Sequence, residues 1–339
     1  MKIRERGIVI GILEPGRKNC ITDVPGVKVG HVTLDEPLEG EEYAATGVTA
    51  ILPHDGNVFK QKVPAASYVL NGFGKTTGLV QVNELGLLEA PIMLTNTFGI
   101  PAVTEGALQF MLEQNPEIGE TTGTINIVAG ECNDSYLNSI RHFSVKREHA
   151  YEAIKVASLE QAKEGAVGAG KGMICFGHKG GIGSASRKVE EYTLGCMVLS
   201  NFGRKEEFQS DRYRTDVSKD GLPETSDGSI IIVLATDAPL SDRQLLRAAK
   251  RTGIGLGRTG SHFSNGSGDI VIAFSTAQTS PHYFNEKQET RIQLRDDHAI
   301  MNMIFTAASE AAEEAILNSL SQADTTRGRK GRVVSSYPF

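Results

Sequence analysis

The junction Thr225-Ser226-Asp227-Gly228-Ser229-Ile230 is where this sequence could carry out covalent chemistry. A serine hydroxyl is a weak nucleophile until a base takes its proton, and no histidine lies near Ser229 in the sequence. Cleavage of the Gly228–Ser229 bond would change that. Ser229 would gain an α-amine with an unperturbed pKa of about 7.7–8.0, suited to act as the base at neutral pH. Such cleavage can be autocatalytic: Ser229 Oγ attacks the Gly228 carbonyl carbon, the acyl group shifts from nitrogen to oxygen, and water hydrolyses the ester. Gly228 has no Cβ to obstruct the approach. The same letters equally suit a turn followed by the start of a strand, so the junction alone leaves both readings open.

Other catalytic signatures are weak. Gly165-Ala-Val-Gly-Ala-Gly-Lys171-Gly172 has the spacing of a phosphate-binding loop, but Gly172 stands where a hydroxyl should meet Mg²⁺. Gly255-Leu-Gly257-Arg-Thr-Gly260 has the letters of a dinucleotide loop, yet it follows a helical segment instead of a strand. Turn or close-packing glycine is the favoured reading of both, and a nucleotide- or metabolite-binding protein without catalysis is the competing function class. The eight histidines form no H-E-x-x-H pair, and no G-x-S-x-G elbow is present. The four cysteines, Cys20, Cys132, Cys175 and Cys196, include no C-x-x-C pair, which leaves zinc without ligand spacing and points to a reducing, cytoplasmic setting.

The elements that must position the junction follow from pattern. Ser229-Ile-Ile-Ile-Val-Leu-Ala-Thr236 predicts a strand buried on both faces, and Asp269 to Ser275 a second. Val27 to Leu34, Gly47 to Leu52 and Ile125 to Ala129 are further strands bounded by turn formers. Three-to-four spacing predicts helices over about 146–164, with Gly165 as the cap, over 244–251, and over about 299–322. Between Gly203 and Asp227 charge and turn residues offer no apolar period, so this stretch is an exposed loop or linker. The basic stretch from Thr325 to Phe339 is expected to be a solvated terminus without function. Strands interleaved with helices imply an α/β or α+β sandwich.

Composition excludes several classes. With 339 residues, 40% hydrophobic residues and a net charge of −6, the chain is a globular protein with enough material for its own core and no bias toward nucleic acid. No apolar stretch approaches a membrane span, and the opening segment does not read as a secretion signal.

Seven blocks carry a resemblance. They are Asn19-Cys-Ile-Thr-Asp-Val-Pro-Gly-Val-Lys-Val-Gly-His31, Thr46-Gly-Val-Thr-Ala-Ile-Leu-Pro-His54, Asn71-Gly-Phe-Gly-Lys75, Gly130-Glu-Cys-Asn-Asp134, Lys179-Gly-Gly-Ile-Gly-Ser-Ala-Ser-Arg187, Asn201-Phe-Gly203, and Asp227 to Leu240. In order and over nearly the whole chain they resemble the DmpA-type L-aminopeptidase/D-amidase-esterase family, peptidase family S58, which includes the β-peptidyl aminopeptidases. The resemblance implies an α+β, four-layer αββα sandwich of the N-terminal-nucleophile kind. It implies one catalytic domain over residues 1–339, cut by itself into fragments 1–228 and 229–339, and a homo-oligomer, a tetramer of processed pairs. The implied activity is that of a hydrolase releasing N-terminal residues from small peptides, amides or esters with a free amino end, through an acyl-enzyme and without metal or cofactor.

By the same resemblance, Ser229 is the nucleophile and Gly228–Ser229 the cleaved bond. Ser267 hydrogen-bonds the nucleophile or its amine, and Asp269 orients it or stabilises charge. Asn201 is the oxyanion donor, Tyr136 supports the oxyanion or bound carbonyl, and Glu131 pairs with the substrate ammonium. Two positions depart from the pattern: Ser135 stands where relatives often place Gly, and Asp269 where β-peptidyl relatives use Glu, which shortens the carboxylate's reach. An acyltransferase of the ornithine acetyltransferase type is the alternative within the fold, though its nucleophile is Thr.

Overall fold

Strand alternation decides which side chains meet between layers. In this computed structural model, residues 1–213 and 228–339 are described, and among them nine strands of five or more residues and five α-helices carry the fold. The strands are β1 (Lys28–Pro37), β2 (Tyr43–Leu52), β3 (Gln61–Gly72), β4 (Ile92–Asn96), β5 (Val128–Cys132), β6 (Gly181–Val189), β7 (Tyr192–Asn201), β8 (Ser229–Thr236) and β9 (Gly268–Ser275). The helices are α1 (Leu79–Leu85), α2 (Ile100–Gln114), α3 (Arg147–Lys155), α4 (Asp242–Thr259) and α5 (Ile300–Ser321). One sheet runs β1-β2-β4-β5 and ends on the short strand Thr76–Thr77; the other runs β6-β7-β8-β9-β3. Only β4–β5 and β8–β9 are parallel among these neighbours.

Three apolar layers separate four structural ones. Ile231 and Val233 of β8 pack with Leu199 of β7 and with Leu94, Val128 and Cys132 of the opposite sheet. The alternate residues Ile230, Ile232 and Leu234 point the other way, onto Leu245 and Ala249 of α4 and Ala308, Ala311 and Ala315 of α5. Val48, Met93 and Ala129 face α2 and α3 through Val103, Ala107, Ala150 and Ile154. The result is an α+β sandwich in the order αββα, with both sheets covered on both faces.

Small residues set the closest approaches. A Cβ on Gly183 would lie 1.9 Å from the carbonyl oxygen of Ala315, and one on Gly255 2.3 Å from that of Ser309, so α5 rests on bare backbone at both places. Gly255 therefore serves packing inside α4. The dinucleotide-like letters lie within that helix and at its end, not after it. Gly165 to Gly172 forms a short 3-10 turn over Gly168–Gly170, with Gly165 bridged to Ile182 and Lys171 paired with Asp35.

Three expectations need correction. The helix expected to reach residue 164 stops at Lys155, because Ser158 turns to exchange backbone hydrogen bonds with Val29 on β1. The strand expected over 125–129 is shifted to Val128–Cys132, which places Glu131 and Cys132 in the sheet. The C-terminal stretch is not a loose solvated end: Thr326–Arg327 pairs with Val333–Val334, Val334 and Tyr337 are buried, and Arg332 lies over the Tyr136 ring. Of the expected linker, residues 210–213 form a 3-10 turn anchored on α5, where Glu313 accepts from Arg212 and from the Tyr213 hydroxyl. Residues 203–209 are described as well and bury Phe208, so this part is not the exposed loop expected, while 214–227 lie outside the described residues. None of the described helices is long and apolar enough to cross a membrane.

Candidate active site

Ser229 opens β8 between two strands that each supply a neighbour. It lies opposite Asn201 at the end of antiparallel β7 and beside Gly268 at the start of parallel β9. Alternation along β8 puts the Ser229 side chain on the same face as Ile231, between the sheets, and its antiparallel partner Asn201 shares that face. Ser229 is 8% exposed, and its Oγ accepts the Gly268 N–H at 3.2 Å.

Glycine is required on both sides of the hydroxyl. A Cβ on Gly228 would lie 2.2 Å from the Asn201 carbonyl oxygen and 2.3 Å from Phe202 Cα; one on Gly268 would lie 2.6 Å from the Gly74 backbone. The bond preceding Ser229 is thus pressed onto the Asn201–Phe202 backbone, where a larger residue would displace it.

Ser267 and Asp269 flank Gly268. The Ser267 hydroxyl donates to Asp269 Oδ1 at 2.6 Å, while Asp269 Oδ2 is buried with no hydrogen-bond partner among the described residues. Burial pushes the Asp269 carboxyl up to about 6, against the opposing pull of the Ser267 hydrogen bond. Neither side chain hydrogen-bonds Ser229 in the uncut chain; Gly268 N–H does so instead.

Asn201 is held at both ends of its carboxamide. Oδ1 accepts the Ile174 N–H at 2.8 Å, and Nδ2 donates to the Asn133 carbonyl at 3.0 Å. These contacts fix which end is nitrogen and leave one N–H of Nδ2 for another acceptor. Asn133 begins the loop that contains Tyr136, and the next residue ties that loop down: Asp134 Oδ1 accepts from Asn138 at 2.9 Å. Burial pushes the Asp134 carboxyl up to about 7.

The other two expected site residues lie on β5 and on the loop that follows it. Glu131, buried on β5, accepts the Lys75 N–H at 2.9 Å and the Thr97 hydroxyl. Tyr136 is half-buried, its ring 4.5 Å from the Arg332 guanidinium carbon and its carbonyl accepting from that side chain. Neither hydrogen-bonds Ser229. The structure also adds partners that carry no sequence motif, because they act through the backbone: the N–H groups of Gly268, Ile174 and Lys75, and the Asn133 carbonyl.

The neighbouring thiol is not a competing nucleophile. Cys132 donates to the Leu199 carbonyl at 3.4 Å, and burial raises its pKa well above the ordinary thiol value. No group of three or more His, Cys, Asp or Glu able to hold a metal occurs among the described residues.

Known proteins are similar to this chain over nearly its whole length. The family described as Peptidase family S58 matches residues 19–334. A β-peptidyl aminopeptidase, BapA of Sphingosinicella microcystinivorans, is 39% identical over 96% of this chain and 87% of its own length. Its namesake from Sphingosinicella xenopeptidilytica is 34% identical over 96% and 86%. Among solved structures, the PH0078 protein of Pyrococcus horikoshii OT3 superposes with a TM-score of 0.93 at 50% identity, covering 100% of this chain and 96% of that one. The L-aminopeptidase D-Ala-esterase/amidase of Ochrobactrum anthropi, described as a variant of the Ntn hydrolase fold, gives 0.91 at 33% identity, covering 99% and 95%.

Proposed function

Because the chain belongs to peptidase family S58, we propose that it is an aminopeptidase that cuts itself before Ser229 and then works through the freed residue. The observation that carries this reading is the position of Ser229. It begins a strand gripped on both edges, with its hydroxyl on Gly268 N–H and the preceding bond pressed against Asn201. A new amino end at that point stays fixed in place.

Maturation runs through Ser229 Oγ. It bonds to the Gly228 carbonyl carbon, the Gly228–Ser229 C–N bond breaks with a proton going to the departing nitrogen, and water then hydrolyses the Gly228 ester to a carboxylate. In the mature site the freed amine takes the hydroxyl proton as Oγ attacks the carbonyl of a substrate's first residue. It returns that proton to the leaving amine, and water resolves the acyl-enzyme. The free Nδ2 hydrogen of Asn201 donates to the tetrahedral oxygen, and Tyr136, on the loop that Asn133 begins, supports the same oxygen or the bound carbonyl. Glu131 pairs with the substrate ammonium, which selects for a free amino end. Substrates are small peptides, amides or esters; the names of the Sphingosinicella proteins extend the class to β-peptides, and parallel assays with α- and β-aminoacyl anilides separate the two. Intact-mass analysis tests the reading: two fragments meeting between Gly228 and Ser229 are expected, and one uncut, fully active chain would refute it.

The uncut chain has no amine at Ser229, so its base must differ from that of the mature enzyme. Asp269, with the Ser267 hydroxyl donating to it, follows the Gly268 whose N–H holds the Ser229 hydroxyl, and this carboxylate is the base we assign to that step. Its competent form is the carboxylate, which is populated above about 6. Maturation of precursor kept acidic and then shifted in pH should therefore accelerate as pH rises through about 6. Asp269→Asn should slow the step and erase that inflection; an unchanged profile would assign the base elsewhere.

A further inference from the structure

Lys179 is a fully buried ammonium whose setting is unusual for a charge. It lies opposite Ile174 in the two-stranded turn that pairs Ile174–Cys175 with His178–Lys179. Its Nζ donates to three carbonyl oxygens, those of Gly170 at 2.8 Å, Met173 at 2.7 Å and Gly180 at 2.7 Å. No carboxylate among the described residues lies within ion-pairing distance. Burial lowers its pKa well below the ordinary lysine value. Three acceptors nevertheless match the three hydrogens of the charged form, whereas a neutral amine would leave one carbonyl unfilled. A well-packed apolar side chain would fill the same space without desolvating a charge.

The Met173 carbonyl on Lys179 and the Ile174 N–H on Asn201 are the two ends of one planar peptide unit. We propose that Lys179 is a positioning residue for the reaction, its ammonium acting through the Met173–Ile174 peptide to orient and polarise the Asn201 carboxamide. The chain of contacts runs from Nζ to the Met173 oxygen, across the peptide to the Ile174 N–H, onto Asn201 Oδ1, and out through the free N–H of Nδ2. Each bond polarises the next in the same direction, so positive charge at the buried end strengthens the donor at the open end. The Asn133 carbonyl on the other Nδ2 hydrogen keeps that donor aimed. This inference rests on the reading of Asn201 as the oxyanion donor.

A double-mutant cycle in the full-length protein tests it, with an aminoacyl p-nitroanilide as substrate and rates expressed per cleaved chain. Where cleavage itself is blocked, its half-time is the rate compared. Lys179→Met should lower kcat by about 10- to 100-fold with KM changed less than about twofold, and should add no further loss to Asn201→Ala, because no donor remains to polarise. Lys179→Gln, which keeps hydrogen-bond donors but not the charge, carries the same expectation should the Met variant fail to fold. Losses that multiply with Asn201→Ala, a change in KM alone, or wild-type kcat in the Lys179 variants would overturn the relay. Full activity in Asn201→Ala would instead remove the oxyanion reading itself, so the two failures are distinct.

Discussion

Ser229→Ala will remain a single chain and will hydrolyse an aminoacyl amide at least about 10³-fold more slowly than the wild type, since removal of a nucleophile abolishes the covalent route. Two losses coincide in this variant. On the proposed reading, the hydroxyl that would cut the Gly228–Ser229 bond is gone, so the amine that would serve as base is never released. Ser229→Thr keeps the hydroxyl and separates the two effects: it should still be cut, more slowly, because the added methyl group crowds the narrow space beside Gly268 and Gly74. Denaturing electrophoresis, terminal sequencing and steady-state rates check both variants. Full activity in an uncut Ser229→Ala chain would end the proposal.

Arg187→Met is expected to cost about 3–5 kcal/mol of stability, as when one partner of a buried ion pair is removed. Arg187 is inaccessible to solvent on β6 and donates to Glu310 at 3.0 Å and Glu314 at 2.7 Å on α5, and to the Ile10 carbonyl at 2.9 Å. Arg4 adds a second cation on Glu314. Without Arg187, Glu310 loses its cation and Glu314 keeps only the partly exposed Arg4. Urea unfolding in the Ser229→Ala background, which keeps the chain whole, measures the change. Adding Glu310→Gln should recover part of it by removing one stranded charge. A midpoint equal to the parent's would show that the network contributes nothing net.

What the sequence made legible depended on whether side chains or backbone carried the information. The unbroken apolar run from Ser229 to Thr236 marks its strand to the residue, because a strand buried on both faces needs no polar alternation. The helix ending at Ser321 was equally plain. The helix expected over 146–164 ends at Lys155 although its apolar spacing continues, because an edge strand captures Ser158. The basic C-terminal stretch reads as solvated because four charges fall within residues 327–332, yet Val334 and Tyr337 anchor it. At the site, residue types and family resemblance named Ser229, Asn201, Ser267 and Asp269. They could not reveal that Ser267 is hydrogen-bonded to Asp269, or that a glycine N–H holds the nucleophile. Lys179 carries no sequence signal for the same reason: its partners are carbonyl oxygens, which every residue has.

The order of strands in the second sheet governs what a cut could release. β6, β7 and β3 precede Ser229 in the chain, while β8 and β9 follow it, and the later pair is inserted between the earlier ones. Severing one bond would therefore yield two polypeptides that remain interlocked, each completing the other's hydrogen-bond ladder. Neither could depart without baring raw edges along its length, so the scission would behave as an irreversible chemical edit to a body that never comes apart.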